Sequence, residues 1–379
     1  MSPSLAPFPS WAFPAYLFLS FIPLVVRPSK YRYLYFLPIL AISYKTLYWT
    51  TGNVTNDYGI ACGWFTLLFM SSDFILITDV QNELRSVKPP QVTPASQYAL
   101  SGRISWAWDL FTSVRGVGWA HEPVSVLPPR PARKYFVVKQ LASLAVLGLL
   151  FDLATWHNSF NPAYFRQGPS LADYGWLWRY ECIWGWAVPG YAALAAQNCV
   201  ISLISVGLGR SDPEDWPWLF GSILDAWSLR RFWSRTWHQV MRRFVTAHGR
   251  FLSRRVLGLP AGTNLSAYVQ LYTAFLISGI IHYLADYAVL RNWHGGALKF
   301  FMAQAVAITV ENGVIALGRR AGFKGTGVAW RLLGYAWVWS WFALVFPMWQ
   351  DPLNRAGLIE DGANTSFVRI TWEKWAELQ

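Results

Sequence analysis

The stretch SLRRFWSRTWHQVMRRF, residues 228–244, gathers two tryptophans, five arginines and His238. Guanidinium forks match phosphate oxygens with paired hydrogen bonds, so Arg231, Arg235 and Arg242 could hold a phosphate-rich ligand near the imidazole. They could equally lie against anionic lipid headgroups, with the histidine incidental. A second stretch, YTAFLISGIIHYLADYAV at 272–289, sets His282 and Asp286 four residues apart in an otherwise apolar run. That spacing puts both on one face of a helix. Ionisable groups in such a run are costly, usually face protein, and mark a functional site by default. Asp286 is a candidate for orienting the His282 imidazole and setting its tautomer, or equally a packing partner. The competing reading is a structural hydrogen bond between helices. Ser278 and Gly279, one turn earlier, are small enough to admit a ligand or a neighbouring helix.

Other chemistries lack their residues. Membrane di-iron enzymes need histidines clustered at HxxxH or HxxHH spacing, whereas the six here never come within five residues of one another. Prenyl transfer wants paired aspartates for magnesium and diphosphate, and Asp212 to Asp215 is a weak imitation in a proline-bound turn. GFKGTG at 322–327 has no GK[ST] ending and reads as a loop, and no GxSxG elbow occurs. Cys62, Cys182 and Cys199 form no CxxC and fall in apolar runs, which fits buried thiols better than disulfides or zinc. No metal and no permanently bound cofactor is implied. Asp73, Asp79, Gln304, Glu311 and Asn312 are further polar residues in apolar runs, the last two candidates for lining the same cavity as His282. His121, His157, His248 and His294 read as ordinary surface residues.

What positions these residues must be a membrane-embedded helical bundle. The 379 residues are 54% hydrophobic, with 24 tryptophans and only 14% charged, where a soluble domain would carry roughly a quarter charged. The net charge of +12 could suggest nucleic acid, but the basic residues cluster between apolar runs. Runs long enough to cross a bilayer, about 17–25 residues, fall near 10–26, 33–50, 58–80, 135–153, 182–208, 266–290, 297–317 and 331–350. The fold class expected is all-α: about eight transmembrane helices plus an amphipathic interfacial helix around a central cavity. No repeat or linker divides the chain, so 1–379 reads as one domain. No charge precedes Arg27, so the basic start of a cleavable signal peptide is missing and the first run is expected to be retained.

Lysines and arginines give the sidedness. The connections 27–32, 81–134, 209–263 and 318–331 hold three, seven, nine and four, 23 in all, against six on the other side and three within spans. The first set is therefore expected in the cytosol and both termini in the lumen, with residence in the endoplasmic reticulum. The sequons at Asn53 and Asn364 then face the lumen and the one at Asn264 does not. Residues 209–263 form a long cytosolic connection whose Trp/Pro segment suits the headgroup level. Ser228 is a plausible N-cap for a helix over about 228–247. On its wheel Trp233, Trp237, Val240, Met241 and Phe244 share one face, and Arg231, Arg235, His238 and Arg242 the other.

LDAWSLRRFWSRTWHQ, followed 44 residues after His238 by SGIIH and preceded by PEDWPWLFGS, resembles the wax-synthase-like branch of the membrane-bound O-acyltransferases. The likeness is specific over roughly 211–290. The branch includes fungal acetyltransferases that decorate terpenoid and meroterpenoid alcohols. The resemblance implies a cavity through the membrane, acyl-CoA entering from the cytosol, and the histidine of the later span, here His282, as catalytic base. The earlier motif usually presents Asn or Asp after its tryptophan, where this chain has His238, leaving that residue to position the thioester or polarise its carbonyl. Many wax synthases carry an acidic residue after the catalytic histidine. Here it is Tyr283, so a carboxylate partner must be Asp286 or something distant.

The function expected on this resemblance is acetyl transfer from acetyl-CoA to a hydroxyl of a terpenoid or related secondary metabolite. His282 and His238 would be catalytic. Arg231, Arg235, Trp237, Gln239 and Arg242 would bind acyl-CoA, and Trp233, Ser278 and Asp286 would position substrate. Partners would be acyl-CoA, a hydrophobic alcohol and membrane lipids, with no nucleic acid. The alternatives are a long-chain wax-ester synthase and, from another class, a non-enzymatic lipid or small-molecule transporter.

Overall fold

The apolar runs fold as helices because a backbone out of water must satisfy its own N–H and C=O groups, and an α-helix does so within one segment. The computed structural model describes residues 5–87, 91–113, 115–120, 131–323, 325, 327–364 and 366–376. His121, Lys324 and Thr326 of the 322–327 loop, and Thr365 of the Asn364 sequon lie outside them. Among the described residues six helical stretches are long and apolar enough to span a bilayer: Val54–Ile77, Arg133–Asn158, Trp176–Gly207, Asn264–Leu290, Ala297–Arg320 and Val328–Val345. The first two expected spans form shorter helices, Ala12–Val25 of 14 residues and Phe36–Thr46 of 11. At about 1.5 Å per residue neither reaches the roughly 30 Å of hydrocarbon. Among the described residues strand structure is a two-residue parallel pairing of Ala6–Pro7 with Trp49–Thr50 and an isolated antiparallel bridge between Ser86 and Trp119.

The chain divides into two compact units. The first comprises residues 1–52, 56–126 and 239–293. In it the helix Val54–Ser72 runs into a π-turn, Asp73–Ile77. π-turns leave carbonyls out of the regular ladder and recur at functional sites. Here polar side chains answer the irregularity. Arg32 gives Nε to the Ile75 carbonyl (3.0 Å), Nη2 to the Thr78 carbonyl (3.0 Å) and Nη1 to Asp79 (3.5 Å). Thr78 donates to Asp73 Oδ1 at 2.6 Å.

The amphipathic helix Arg242–Arg250 fastens to the same turn. Arg243 reaches the fully buried Asp73 at 3.3 Å and lies over the Phe74 ring. His248 Nε2 meets the Ser72 hydroxyl at 3.0 Å while Nδ1 meets the Phe244 carbonyl at 2.7 Å, so His248 is a packing residue and not the surface group expected. Gly249 crosses the helix Asn264–Leu290 so closely that a Cβ would sit 3.1 Å from the Gln270 Cα.

The helix Asn264–Leu290 is fixed at both ends. Thr263 caps its start, its hydroxyl accepting from the Ser266 N–H. It ends at Arg291 in the left-handed region, φ 58°, where glycine is usual. The side chain repays that strain by donating to the Leu47 and Trp49 carbonyls.

The second unit comprises residues 53–55, 127–238 and 294–379. Helices Arg133–Asn158 and Trp176–Gly207 form its hairpin, joined where Asn158 donates to the Gly185 carbonyl (2.6 Å) and Tyr164 to the Cys182 carbonyl (2.9 Å). Tyr135, Val138, Leu141, Val146 and Leu149 stay exposed along the first of these helices, the surface expected of a helix facing lipid. Asp152, on that helix, accepts the N–H groups of Phe367 and Val368 at 2.7 and 2.9 Å and so caps the helix Phe367–Ala376 from outside.

The Asp73–Arg243 pair is almost wholly removed from solvent, so losing one partner strands a buried charge, a loss of about 3–5 kcal/mol. Arg243→Ala should lower the melting temperature of the detergent-solubilised protein by several degrees. An unchanged melting curve would show that the pair does not hold the amphipathic helix to the π-turn.

Candidate acyltransferase site

The two motif histidines, His282 and His238, belong to different units. In the first unit His282 lies in the interior of the helix Asn264–Leu290, half-buried. Its Nδ1 is 3.2 Å from the Tyr58 hydroxyl and 3.4 Å from the Cys62 sulfur. The Tyr58 and His282 rings are nearly parallel, 24° apart with centroids 6.3 Å apart. Tyr58 and Cys62 sit one turn apart on the helix Val54–Ser72 and so share a face. Asp286, one turn beyond His282, is fully buried. Ser278 spends its hydroxyl on the Ala274 carbonyl (2.9 Å) of its own helix.

In the second unit the motif residues do not lie on one continuous helix. A helical turn, Leu229–Arg231, passes into a π-turn, Phe232–Thr236, and the chain then becomes extended at Trp237 (φ −69°, ψ 156°). The next helix starts only at Arg242. The expected single helix over 228–247, and the wheel drawn on it, is corrected accordingly: the break at Trp237 takes His238 off any helical face. The reason is local. Gly221 packs against the backbone at the break, where a Cβ would lie 2.0 Å from the Arg235 carbonyl oxygen. The Gly221 N–H and the Thr236 hydroxyl tie the two strands of chain together, the first to the Thr236 carbonyl (2.9 Å), the second to the Ser222 carbonyl (3.0 Å).

Ser228 caps this segment as expected, accepting from the Arg231 N–H at 3.2 Å. The stronger support is Glu311, which was expected to line a cavity. Its two oxygens instead accept the backbone N–H groups of Leu229 (2.8 Å) and Arg230 (3.3 Å) and the Trp337 indole N–H (2.9 Å). Sequence reasoning marked Glu311 as out of place in an apolar helix but had no means of pairing it with a segment 82 residues away.

Around His238 the surroundings are aromatic. Trp237 stacks on Phe232 (5.9 Å) and Trp186 (6.3 Å), and the His238 ring meets Trp237 (5.4 Å) and Phe220 (6.0 Å). Trp233 packs on Phe301 and Phe342. The Nδ1 of His238 is buried without a hydrogen-bond partner. Burial pushes its pKa down to about 4, because an apolar setting disfavours the imidazolium.

The expected phosphate-binding arginines separate. Arg231 is engaged within the protein, with Nη2 2.5 Å from Asp225 and its guanidinium over the Trp227 ring. Arg235 and Arg242 are exposed, and Gln239 is half-buried.

Two histidines, His238 among aromatic rings with a buried, unpartnered Nδ1 and His282 with polar neighbours at Nδ1, are suited to polarising and acid–base chemistry. The sequence over 216–303, which holds both, matches the membrane bound O-acyl transferase family. The acetyltransferase ple2 of Rhodocybe pseudopiperita is 40% identical over 344 residues, 89% of each chain. The chain belongs to the membrane-bound O-acyltransferase family. It is therefore an acyltransferase, and the transporter reading falls away. The acetyltransferase eriL of Hericium erinaceus is 37% identical over 376 residues, 95% of each chain, and ataH of Aspergillus terreus 32% over 267 residues, 65% of this chain and 88% of its own. No solved structure matches.

Glu311→Ala would leave three donors of this acyltransferase unanswered, each costing about 1–3 kcal/mol. A fall in melting temperature is expected, with Glu311→Gln intermediate, and equal melting of all three proteins would refute the capping role. His238 gives a pH signature. Folded, it stays neutral down to about 4, while the unfolded chain takes up a proton near 6.5. The unfolded state then binds more protons between those values, so stability is lost as pH falls from about 6.5 towards 4. Melting temperatures across that window should fall less steeply in His238→Gln, and identical slopes would contradict the assignment.

Proposed function

We propose that this acyltransferase moves an acetyl group from acetyl-CoA to a hydroxyl of a terpenoid or related secondary metabolite, with His282 as general base. The observation that carries the base assignment is the placement of an imidazole inside an apolar helix with its Nδ1 side engaged by Tyr58 and Cys62. The acceptor alcohol gives its proton to His282 as the oxygen attacks the thioester carbon. The carbon–sulfur bond then breaks, and the CoA thiolate leaves and recovers the proton, so neither a covalent acyl-enzyme nor a redox partner is needed. General-base assistance of this kind contributes about 10²–10⁴-fold. The acetyl group is supported by relatives named as acetyltransferases at 40% and 37% identity.

His238, uncharged by burial, polarises the thioester carbonyl through its one N–H. Trp237, Gln239 and the exposed Arg235 and Arg242 hold the CoA moiety, the arginines against its phosphates. Arg231 contributes by shaping the segment through Asp225, while Trp233, Ser278 and Asp286 belong to the acceptor side. The placement of both termini on the lumenal side of the membrane, which we take to be the endoplasmic reticulum, is supported in its sidedness by the 23 to six division of basic residues.

Purified enzyme supplied with labelled acetyl-CoA or palmitoyl-CoA and a panel of terpenoid and fatty alcohols should form acetyl esters of terpenoid alcohols. His282→Ala should abolish that transfer while retaining the wild-type melting temperature. Full turnover in His282→Ala would remove the base assignment, and exclusive use of palmitoyl-CoA would replace acetyl transfer by wax-ester synthesis.

A further inference from the structure

We propose that Tyr58, aided by Cys62, is the positioning residue that decides which nitrogen of His282 carries the proton and which acts as the base. This rests on the reading of His282 as general base and deepens it. An imidazole can act as a base only through the nitrogen that lacks a proton, and the hydrogen bond at the other nitrogen selects the tautomer. Both polar groups placed at His282 Nδ1 come from one face of the helix Val54–Ser72: the Tyr58 oxygen at 3.2 Å and the Cys62 sulfur at 3.4 Å.

The phenol oxygen is the better acceptor of the two, since a thiol sulfur accepts only weakly. Nδ1–H donating to Tyr58 keeps the proton on Nδ1 and the lone pair on Nε2. The near-parallel rings, 24° apart, keep the phenol oxygen by the edge of the imidazole and resist rotation of the ring about its Cβ–Cγ bond. Cys62 fills the remaining approach to Nδ1, and its side chain is only partly exposed. A phenol also differs from a carboxylate in this place. It orients the ring through a hydrogen bond and not through an ion pair. This supplies the orienting partner that Tyr283 cannot be, because the Tyr283 hydroxyl is spent on the Trp293 carbonyl at 2.7 Å.

Tyr58→Phe keeps the ring and removes only the oxygen. Its kcat should fall about 10–100-fold, the range lost when an orienting partner of a functional histidine is removed, with the KM for acyl-CoA and for the alcohol unchanged. In a His282→Ala background the same substitution should cause no further loss. A second readout needs no turnover. In the intact protein labelled with ¹⁵N-histidine, with His282→Ala used to assign the signal, His282 should show the Nδ1-protonated tautomer. A wild-type kcat in Tyr58→Phe beside an inactive His282→Ala, or an Nε2-protonated His282, overturns the positioning role while leaving the base intact. An active His282→Ala overturns the base reading itself, and the two failures are thereby told apart. Should Tyr58→Phe not fold, the tautomer measurement on the wild-type protein decides alone.

Discussion

A backbone N–H withdrawn from water and left unanswered costs several kcal/mol, and a helix that begins inside apolar surroundings has such groups at its start. The motif segment begins that way at Leu229, and a side chain from elsewhere in the second unit meets the demand. Glu311, projecting from the helix Ala297–Arg320, accepts both leading N–H groups and an indole N–H besides. With the start of the segment fixed, its π-turn and the extension at Trp237 can be held by the Gly221–Thr236 pairing. The aromatic panel of Trp186, Phe232 and Phe220 can then close on Trp237. The position of His238 follows from that order of constraints. The same device recurs where Asp152 caps the helix Phe367–Ala376. Carboxylates in this unit serve as external helix caps, which is why acidic residues are tolerated on apolar helices that carry no obvious charge partner.

The two histidines are treated in opposite ways. His238 is set among aromatic rings with a buried, unanswered Nδ1, so its neutrality comes from the lack of any group to favour a charge. His282 has polar neighbours at Nδ1, and what they control is direction. A residue proposed to donate a hydrogen bond to a thioester gains from never ionising. A residue proposed to gain and lose a proton in each cycle must be able to carry charge briefly and in a fixed orientation. The division of labour proposed above follows from this difference in environment, although both side chains are the same.

Much of the architecture was legible in sequence because hydrophobic length is a one-dimensional property. Six of eight expected spans appear as helices of membrane-crossing length, and Ser228 caps where its type and place suggested. The rest depended on contacts that periodicity does not encode. The wheel over 228–247 assumed a constant 100° per residue, an assumption that a single extended residue, Trp237, defeats. Glu311 and Asp73 were visible as polar intrusions, but their partners lie 82 and 170 residues away. Tyr58 drew no notice, because a tyrosine in an aromatic-rich chain carries no signal until a histidine 224 residues later is placed beside it.

The family match covers 216–303 and contains both histidines, yet some of the groups that support them fall outside it. Tyr58 and Cys62 precede the match, and Glu311 and Trp337 follow it. A motif compact in sequence therefore carries the proposed reacting side chains without all of what holds them. The supporting residues answer to geometry more than to residue type, since a phenol, a hydroxyl or an amide can occupy an imidazole nitrogen, and any acceptor can cap an exposed N–H.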